Sequence, residues 1–146
     1  VGSIYNYFDS KSDLVGATVE SVWCEIFHRP EDDAVFHDVQ ACITWIYACM
    51  AYGYERYPGF FTLHSLGFMR EEKDDGKRRM QQTWQHIFKG LCTVLKQDEK
   101  IRKDAFNEHF TAEKFADVLF SQMLSALLQQ DYDPSAVLEI VRRTLY

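Results

Sequence analysis

Apolar positions along the chain recur at the spacing of α-helices. The first stripe consists of Val15, Val19, Val22 and Ile26, at i, i+4, i+7 and i+11, which places them on one face of a helix. We predict this helix from Ser10 to Phe27. No stretch of the sequence alternates apolar and polar residues between turn signals, as a half-buried strand would. The pattern therefore predicts an all-α protein.

A second helix is predicted from Val35 to Tyr57. Between Ala41 and Tyr54 its only plainly polar side chain is Thr44, so we expect other elements to surround this helix on every side. Pro58 ends it, and the residues from Pro58 to Phe68 predict a short aromatic helix.

A run of charged residues separates this region from a long amphipathic helix. The run extends from Arg70 to Arg79, and its middle is predicted to be an exposed loop. Apolar residues then follow at helical spacing from Met80 to Leu95, which predicts one long helix. A polar connector is predicted from Gln97 to Glu108.

Two more helices are predicted near the carboxyl end. The first, from Thr111 to Gln130, is expected to use its threonine as the cap, with Glu113 in the first turn and Phe110 packed on Phe115. The second begins at the Asp133-Pro134 pair, a cap followed by a first-turn proline.

Composition and charge fit one soluble domain. The 146 residues are 47% hydrophobic, with only 7 Gly and 3 Pro, which excludes disorder for most of the chain. The net charge of -6 argues against binding polyanions over the whole surface. The four cysteines form no CxxC pair and are predicted to be reduced, hence in a cytoplasmic protein. The uncharged run from Ala41 to Tyr54 is too short to cross a bilayer, so no membrane association is expected.

The opening residues carry a specific motif: glycine, an aliphatic residue and tyrosine, then a second tyrosine before phenylalanine, then Ser-Lys and a leucine. This motif resembles the end of the DNA-binding domain of the tetracycline-repressor (TetR) family, where it covers the recognition helix and the start of the next helix. The segment from Tyr54 to Phe61 also resembles the family's turn after its central helix. The motif positions are Gly2, Ile4, Tyr5, Tyr7, Phe8, Ser10, Lys11 and Leu14.

The resemblance implies a fold, a domain division and a function. Residues 1–29 would be the remnant of a helix-turn-helix domain whose first helices precede Val1, and residues 30–146 a TetR-like ligand-binding and dimerisation domain. The function implied is a ligand-responsive transcriptional regulator, most often a repressor. It would leave its operator DNA when a small apolar or aromatic effector binds.

The same resemblance implies DNA contacts at the start of the chain. Tyr5 and Lys11 take the family's phosphate-binding positions, and Lys11 lies at a helix start, where an anion is favoured. Ser3, Asn6 and Tyr7 are further candidates for contacts in the major groove.

An aromatic group on the central helices is the second candidate site. Residues 45, 49 and 52 share one side of the second helix, and residues 61, 64 and 68 repeat that spacing on the next. Each could simply be core, but as a group they would form the wall of the ligand pocket that the resemblance implies, with polar tips from two hydroxyls and an imidazole. The predicted pocket residues are Thr44, Trp45, Cys49, Tyr52, Phe61, His64, Phe68, Trp84 and Phe88.

The last two helices have apolar residues on more than one face. Two such helices from each subunit can pair about a two-fold axis as a four-helix bundle, which predicts a homodimer. The residues predicted for its interface are Phe115, Leu119, Met123, Leu127, Val137, Ile140, Val141 and Leu145.

Two other classes of protein remain as alternatives. A helical module could bind an apolar molecule or a protein and never contact DNA; the sequence upstream of Val1 would distinguish it from a regulator. A metal-dependent enzyme would need a site near Cys24, His28 and His37, whose ligand spacing is loose. The sequence contains no nucleophile elbow, phosphate loop or HExxH motif, so we predict no enzyme activity and no cofactor.

Overall fold

The computed structural model describes residues 21–22, 24–27, 33–58 and 75–146, and of residues 75–84 the backbone alone. Every regular element in these ranges is a helix, so the all-α prediction is confirmed there. Residues 21–22 and 24–26 are helical, in agreement with the helix predicted from Ser10 to Phe27, which we call the connecting helix. The other elements are a 3-10 helix at Asp33–Phe36 and four α-helices, α1 (Val39–Arg56), α2 (Asp75–Gln97), α3 (Ala112–Gln129) and α4 (Ser135–Leu145).

Helix α1 begins later than the apolar pattern predicts. Val35 belongs to the preceding 3-10 helix, and α1 starts at Val39 because Asp38 acts as its N-cap. The Asp38 backbone is extended, and its carboxylate accepts a hydrogen bond from the Ala41 N–H group at 3.1 Å, as N-cap residues do. The apolar residues run through both helices, so their spacing alone did not mark the boundary.

Helix α2 begins inside the charged run. The predicted loop in the middle of that run is wrong from Asp75 onward, since the helix already includes Asp75 and Gly76. Lysine and arginine are good helix formers, so charge alone does not stop a helix.

Of the two carboxyl-terminal helices, α3 starts where its capping signal predicts and α4 starts one residue later than predicted. Thr111 accepts a hydrogen bond from the Lys114 N–H group at 3.2 Å, and the Phe110 and Phe115 rings pack with centroids 5.4 Å apart. The Asp133 carboxylate accepts a hydrogen bond from the Ser135 N–H group at 3.0 Å, just before α4. The Thr111 cap and the Phe110–Phe115 contact are therefore confirmed. The predicted cap of α4 is wrong by one residue, because α4 begins at Ser135 with Pro134 in the N-cap position and without a side-chain cap.

The four helices share one core. α3 packs mainly on α2, α4 packs mainly on α1, and α1 and α2 contact each other. None of the helices in the described part of the chain combines the length and the apolar character that a bilayer crossing requires. The largest side chains that are fully buried in the core are Ile26, Val39, Met50, Met123, Leu127, Val141 and Leu145.

Most residues predicted for a dimer interface lie in this core. Six of them are covered by the chain itself, which leaves them little surface for a partner; Val137 is half-buried and Ile140 is 54% exposed. The exposed apolar residues of α3 and α4 are Val118, Leu128 and Ile140. The buried six are Phe115, Leu119, Met123, Leu127, Val141 and Leu145.

A buried carboxylate joins the start of α1 to the end of α4. Asp98, only 5% exposed, follows α2. Its Oδ2 accepts hydrogen bonds from the Val39 N–H group at 3.0 Å and from the Tyr146 hydroxyl, and its Oδ1 accepts one from the Lys100 N–H group at 2.9 Å. The amino end of α1 also favours a negative charge, because the helix dipole is positive there. Burial, followed by the hydrogen bond to Asp98, raises the pKa of Tyr146.

A second carboxylate lies beside it. Burial of Asp38 opposes its ionisation, but the Lys100 ammonium at 2.5 Å and the Ala41 N–H group outweigh burial, so the pKa of Asp38 is lowered. The Arg102 N–H group donates to the Leu145 carbonyl at 2.8 Å. The connector between α2 and α3 therefore holds both α1 and α4.

Replacing Asp98 should destabilise the whole domain. In Asp98→Ala the Val39 N–H group and the Tyr146 hydroxyl lose a buried acceptor, and we expect the free energy of unfolding to fall by about 1–3 kcal/mol. Urea denaturation measures this change. Asp104→Ala is the matched control, because Asp104 lies in the same connector but its side chain is 86% exposed. Equal effects of the two substitutions would contradict the role given to Asp98.

A substitution of Gly90 should stabilise the domain. It lies in the interior of α2, is exposed, and has nothing within 4 Å of the position a Cβ atom would take. We expect Gly90→Ala to raise the free energy of unfolding by roughly 0.5–1 kcal/mol, because glycine loses more backbone entropy in a helix. Ala48→Gly, at an exposed position of α1, should lower it by a similar amount. A loss of stability in Gly90→Ala would show that the alanine methyl group meets an obstacle.

Candidate functional site

The predicted aromatic stripe of α1 contacts the connecting helix at Trp45. The half-buried Trp45 ring packs edge-on against Phe27, with centroids 6.2 Å apart and planes at 71°. Cys49, one turn further on, is buried, and Tyr52 is 44% exposed. The predicted stripe therefore runs along the border between the core and the surface. Phe27 was not predicted as part of it, because its contact with Trp45 is tertiary and leaves no spacing signal.

The outer face of α1 is open. Thr44, Ala48 and Tyr52 recur at four-residue intervals and are all exposed, so the prediction that other elements surround α1 on every side is wrong. The Thr44 hydroxyl donates to the Gln40 carbonyl of its own helix at 2.8 Å. Alanine is apolar but small, and one side of the helix can face solvent at little cost.

The remaining pocket candidates are placed in part. Phe88 is half-buried and packs edge-on against Phe120, with centroids 6.2 Å apart, where α2 meets α3. Trp84 belongs to the first half of α2, where the backbone alone is described. The pocket candidates Phe61, His64 and Phe68, and the DNA-contact candidates Ser3, Tyr5, Asn6, Tyr7 and Lys11, lie outside the described residues.

The end of the connecting helix is attached to α1 by several kinds of contact. Ile26 is fully buried in the core. The Tyr57 hydroxyl donates a hydrogen bond to Oε2 of Glu25, and that bond, together with burial, raises the pKa of Tyr57. The Arg56 guanidinium lies over the Tyr57 ring, 5.4 Å from its centroid. Tyr57 thus stands between α1 and the connecting helix.

Two spaces open between the described helices. A polar groove of about 430 Å³ lies near the start of α1, where the Asp38–Lys100 ion pair, His37 and Glu99 line it. A second space of about 10 Å³ is apolar and lies between residues of all four helices, among them Leu91 and Val137. It has room for about one water molecule, so the core in this region is closely packed.

The cysteines differ in accessibility. All four are free thiols, and Cys24 is exposed. Burial raises the pKa of Cys42 to about 12 and that of Cys49 to about 11, and burial is also the main cause of the raised pKa of the half-buried Cys92. In the part of the chain that the structure describes, no three His, Cys, Asp or Glu side chains are close enough to hold a metal ion.

Comparison with known proteins gives no relative. The chain matches no family model, no curated protein and no solved structure.

The burial of the thiols predicts an order of reaction. Only the thiolate attacks disulfide or haloacetamide reagents, so Cys24 should react first in the folded protein, Cys92 more slowly, and Cys42 and Cys49 only after unfolding. Mass spectrometry of protein treated with iodoacetamide at pH 8 measures the order. Unfolded protein in urea is the control, in which all four should react at comparable rates. Rapid labelling of Cys42 in the folded state would contradict the burial of α1's inner face.

Proposed function

We propose that this chain belongs to a ligand-responsive DNA-binding transcriptional regulator of the TetR type. The observation that carries the proposal is the motif from Gly2 to Leu14, whose spacing of glycine, tyrosines, phenylalanine and lysine resembles the recognition helix of that family. A recognition helix reads base edges in the major groove while flanking polar groups bind phosphates.

The described helices support this proposal in one specific way. Residues 21–22 and 24–26 are helical, and this helix end is anchored by Ile26 in the core and by Phe27 on Trp45. A change at Trp45 would therefore act directly on the end of the connecting helix.

The proposed mechanism is a shift between two populations. An apolar or aromatic effector bound near Trp45 and Tyr52 would favour one position of the connecting helix over another. Such couplings are typically about 1–3 kcal/mol, which corresponds to a loss of operator affinity of roughly 5-fold to 150-fold.

A homodimer is part of the proposal. Two recognition helices about one turn of DNA apart, roughly 34 Å, are what a two-fold symmetric operator requires. The exposed Val118, Leu128 and Ile140 give α3 and α4 apolar surface for pairing with a second copy.

The test is selection of DNA by the full-length protein that contains this chain. The protein is incubated with a pool of random duplexes at fixed salt, and bound duplexes are amplified and sequenced. We expect enrichment of a two-fold symmetric site with half-sites about one turn apart. If no sequence is enriched over several rounds, the regulator proposal is wrong and a helical module without DNA binding is favoured.

A substitution of Lys11 tests whether this residue binds a DNA phosphate. In the full-length protein Lys11→Ala should weaken binding to the selected duplex and to unrelated duplexes alike, because a phosphate contact carries no sequence information. The slope of log K against log salt should become shallower by about 0.9. Fluorescence anisotropy at several salt concentrations measures both quantities.

Lys103→Ala is the charge-matched control, since Lys103 is exposed in the connector between α2 and α3. It should leave the slope unchanged. If Lys11→Ala and Lys103→Ala have the same slope as the unsubstituted protein, Lys11 does not bind a phosphate.

A further inference from the structure

The contacts at the end of the connecting helix differ in what they constrain. The buried Ile26 and the ring contact of Phe27 hold the helix against the body, but apolar contacts are not directional and tolerate rotation. The hydrogen bond from Tyr57 to Glu25 is directional, because its strength falls steeply when the donor and acceptor are misaligned. It is therefore suited to fix the angle at which the helix leaves the body.

Tyr57 is itself held firmly at the end of α1. It is the C-cap residue, and its N–H group donates to the Gly53 carbonyl at 2.9 Å. The Arg56 guanidinium lies over its ring. The Tyr57 hydroxyl, which is fixed to the end of α1, therefore donates a hydrogen bond to the connecting helix.

A small change of angle at Glu25 becomes a large displacement at the other end. If the predicted helix continues to Ser10, the arm is about 22 Å long at 1.5 Å per residue. A rotation of about 10° then moves the far end by roughly 4 Å, close to the rise of one base pair along DNA, about 3.4 Å. In a dimer, that displacement changes the half-site spacing that the two recognition helices fit.

We propose that Tyr57 is a positioning residue: its hydrogen bond to Glu25 fixes the angle of the connecting helix and so sets which half-site spacing the protein accepts. This inference rests on the proposed regulator function. It assigns the choice of half-site spacing to Tyr57 and Glu25. These two residues lie at the carboxyl end of α1 and on the connecting helix and do not themselves contact DNA.

The first measurement does not involve DNA. Tyr57→Phe removes the hydroxyl and keeps the ring, and amide hydrogen exchange of residues 21–27 should become about 5-fold faster, while α3 and α4 exchange at unchanged rates. Tyr54→Phe is the matched control, a tyrosine on the same helix whose ring packs on Tyr132; it should leave residues 21–27 unchanged.

The second measurement uses the full-length protein and its selected duplex. Affinities are compared for that duplex and for duplexes with the half-sites moved apart by one and by two base pairs. The unsubstituted protein and Tyr54→Phe should prefer the selected spacing strongly, whereas the preference of Tyr57→Phe should fall about 5-fold at an unchanged unfolding midpoint. Glu25→Leu should also reduce the preference, and the two effects should be less than additive in the double variant, because both substitutions remove the hydrogen bond between Tyr57 and Glu25. Glu25→Gln, which keeps an acceptor oxygen, should retain the preference.

The outcomes are distinct. Faster exchange together with a reduced spacing preference supports the inference. Unchanged exchange in Tyr57→Phe overturns it, as does faster exchange with an intact spacing preference. If the unsubstituted protein selects no duplex at all, the regulator proposal falls and the positioning role falls with it, whereas a spacing preference that survives in Tyr57→Phe overturns the positioning role alone.

Discussion

The carboxylate of Asp98 is the constraint on which the arrangement of the helices depends. A buried negative charge is costly unless hydrogen bonds compensate it, and the groups that compensate this one come from the start of α1, from the connector after α2 and from the side chain of Tyr146. Since these groups are far apart in the chain, the charge is satisfied only when α1, the connector and α4 have all docked. Apolar burial supplies most of the driving force for folding, and Asp98 helps to select the arrangement in which the helices come together.

The buried and the exposed faces of α1 serve different purposes. Its inner face, which includes Cys42, Ile46 and Met50, is buried and serves the fold. Trp45 packs on Phe27 of the connecting helix, and Tyr52 is exposed on the outer face. Both side chains combine large apolar area with a polar tip, and such side chains are common in ligand sites. The apolar space within the described core holds about one water molecule, so the inner face of α1 is closely packed.

Local signals in the sequence predicted more of this fold than tertiary ones did. The Thr111 cap and the Phe110–Phe115 contact depend on residues a few positions apart, and both are present. The start of α4 was predicted to within one residue. The role of Asp98 was not predictable, because its partners are 59 and 48 positions away. The contact between Phe27 and Trp45 was not predictable either, because these two residues are also distant in the sequence. The open face of α1 was missed because alanine counts as apolar in a pattern yet needs little cover.

The attachment of α1 at both ends has a mechanical consequence. Its first turn is hydrogen-bonded to Asp98 and its C-cap residue, Tyr57, to the connecting helix. The residues between them form one continuous α-helix. Because the helix is continuous, a displacement of its middle also changes the positions of its two ends. A molecule that displaces α1 would therefore strain the contacts at both of its ends. The exposed hydrogen bond from Tyr57 to Glu25 is weaker than the buried one from Val39 to Asp98, so it would break first.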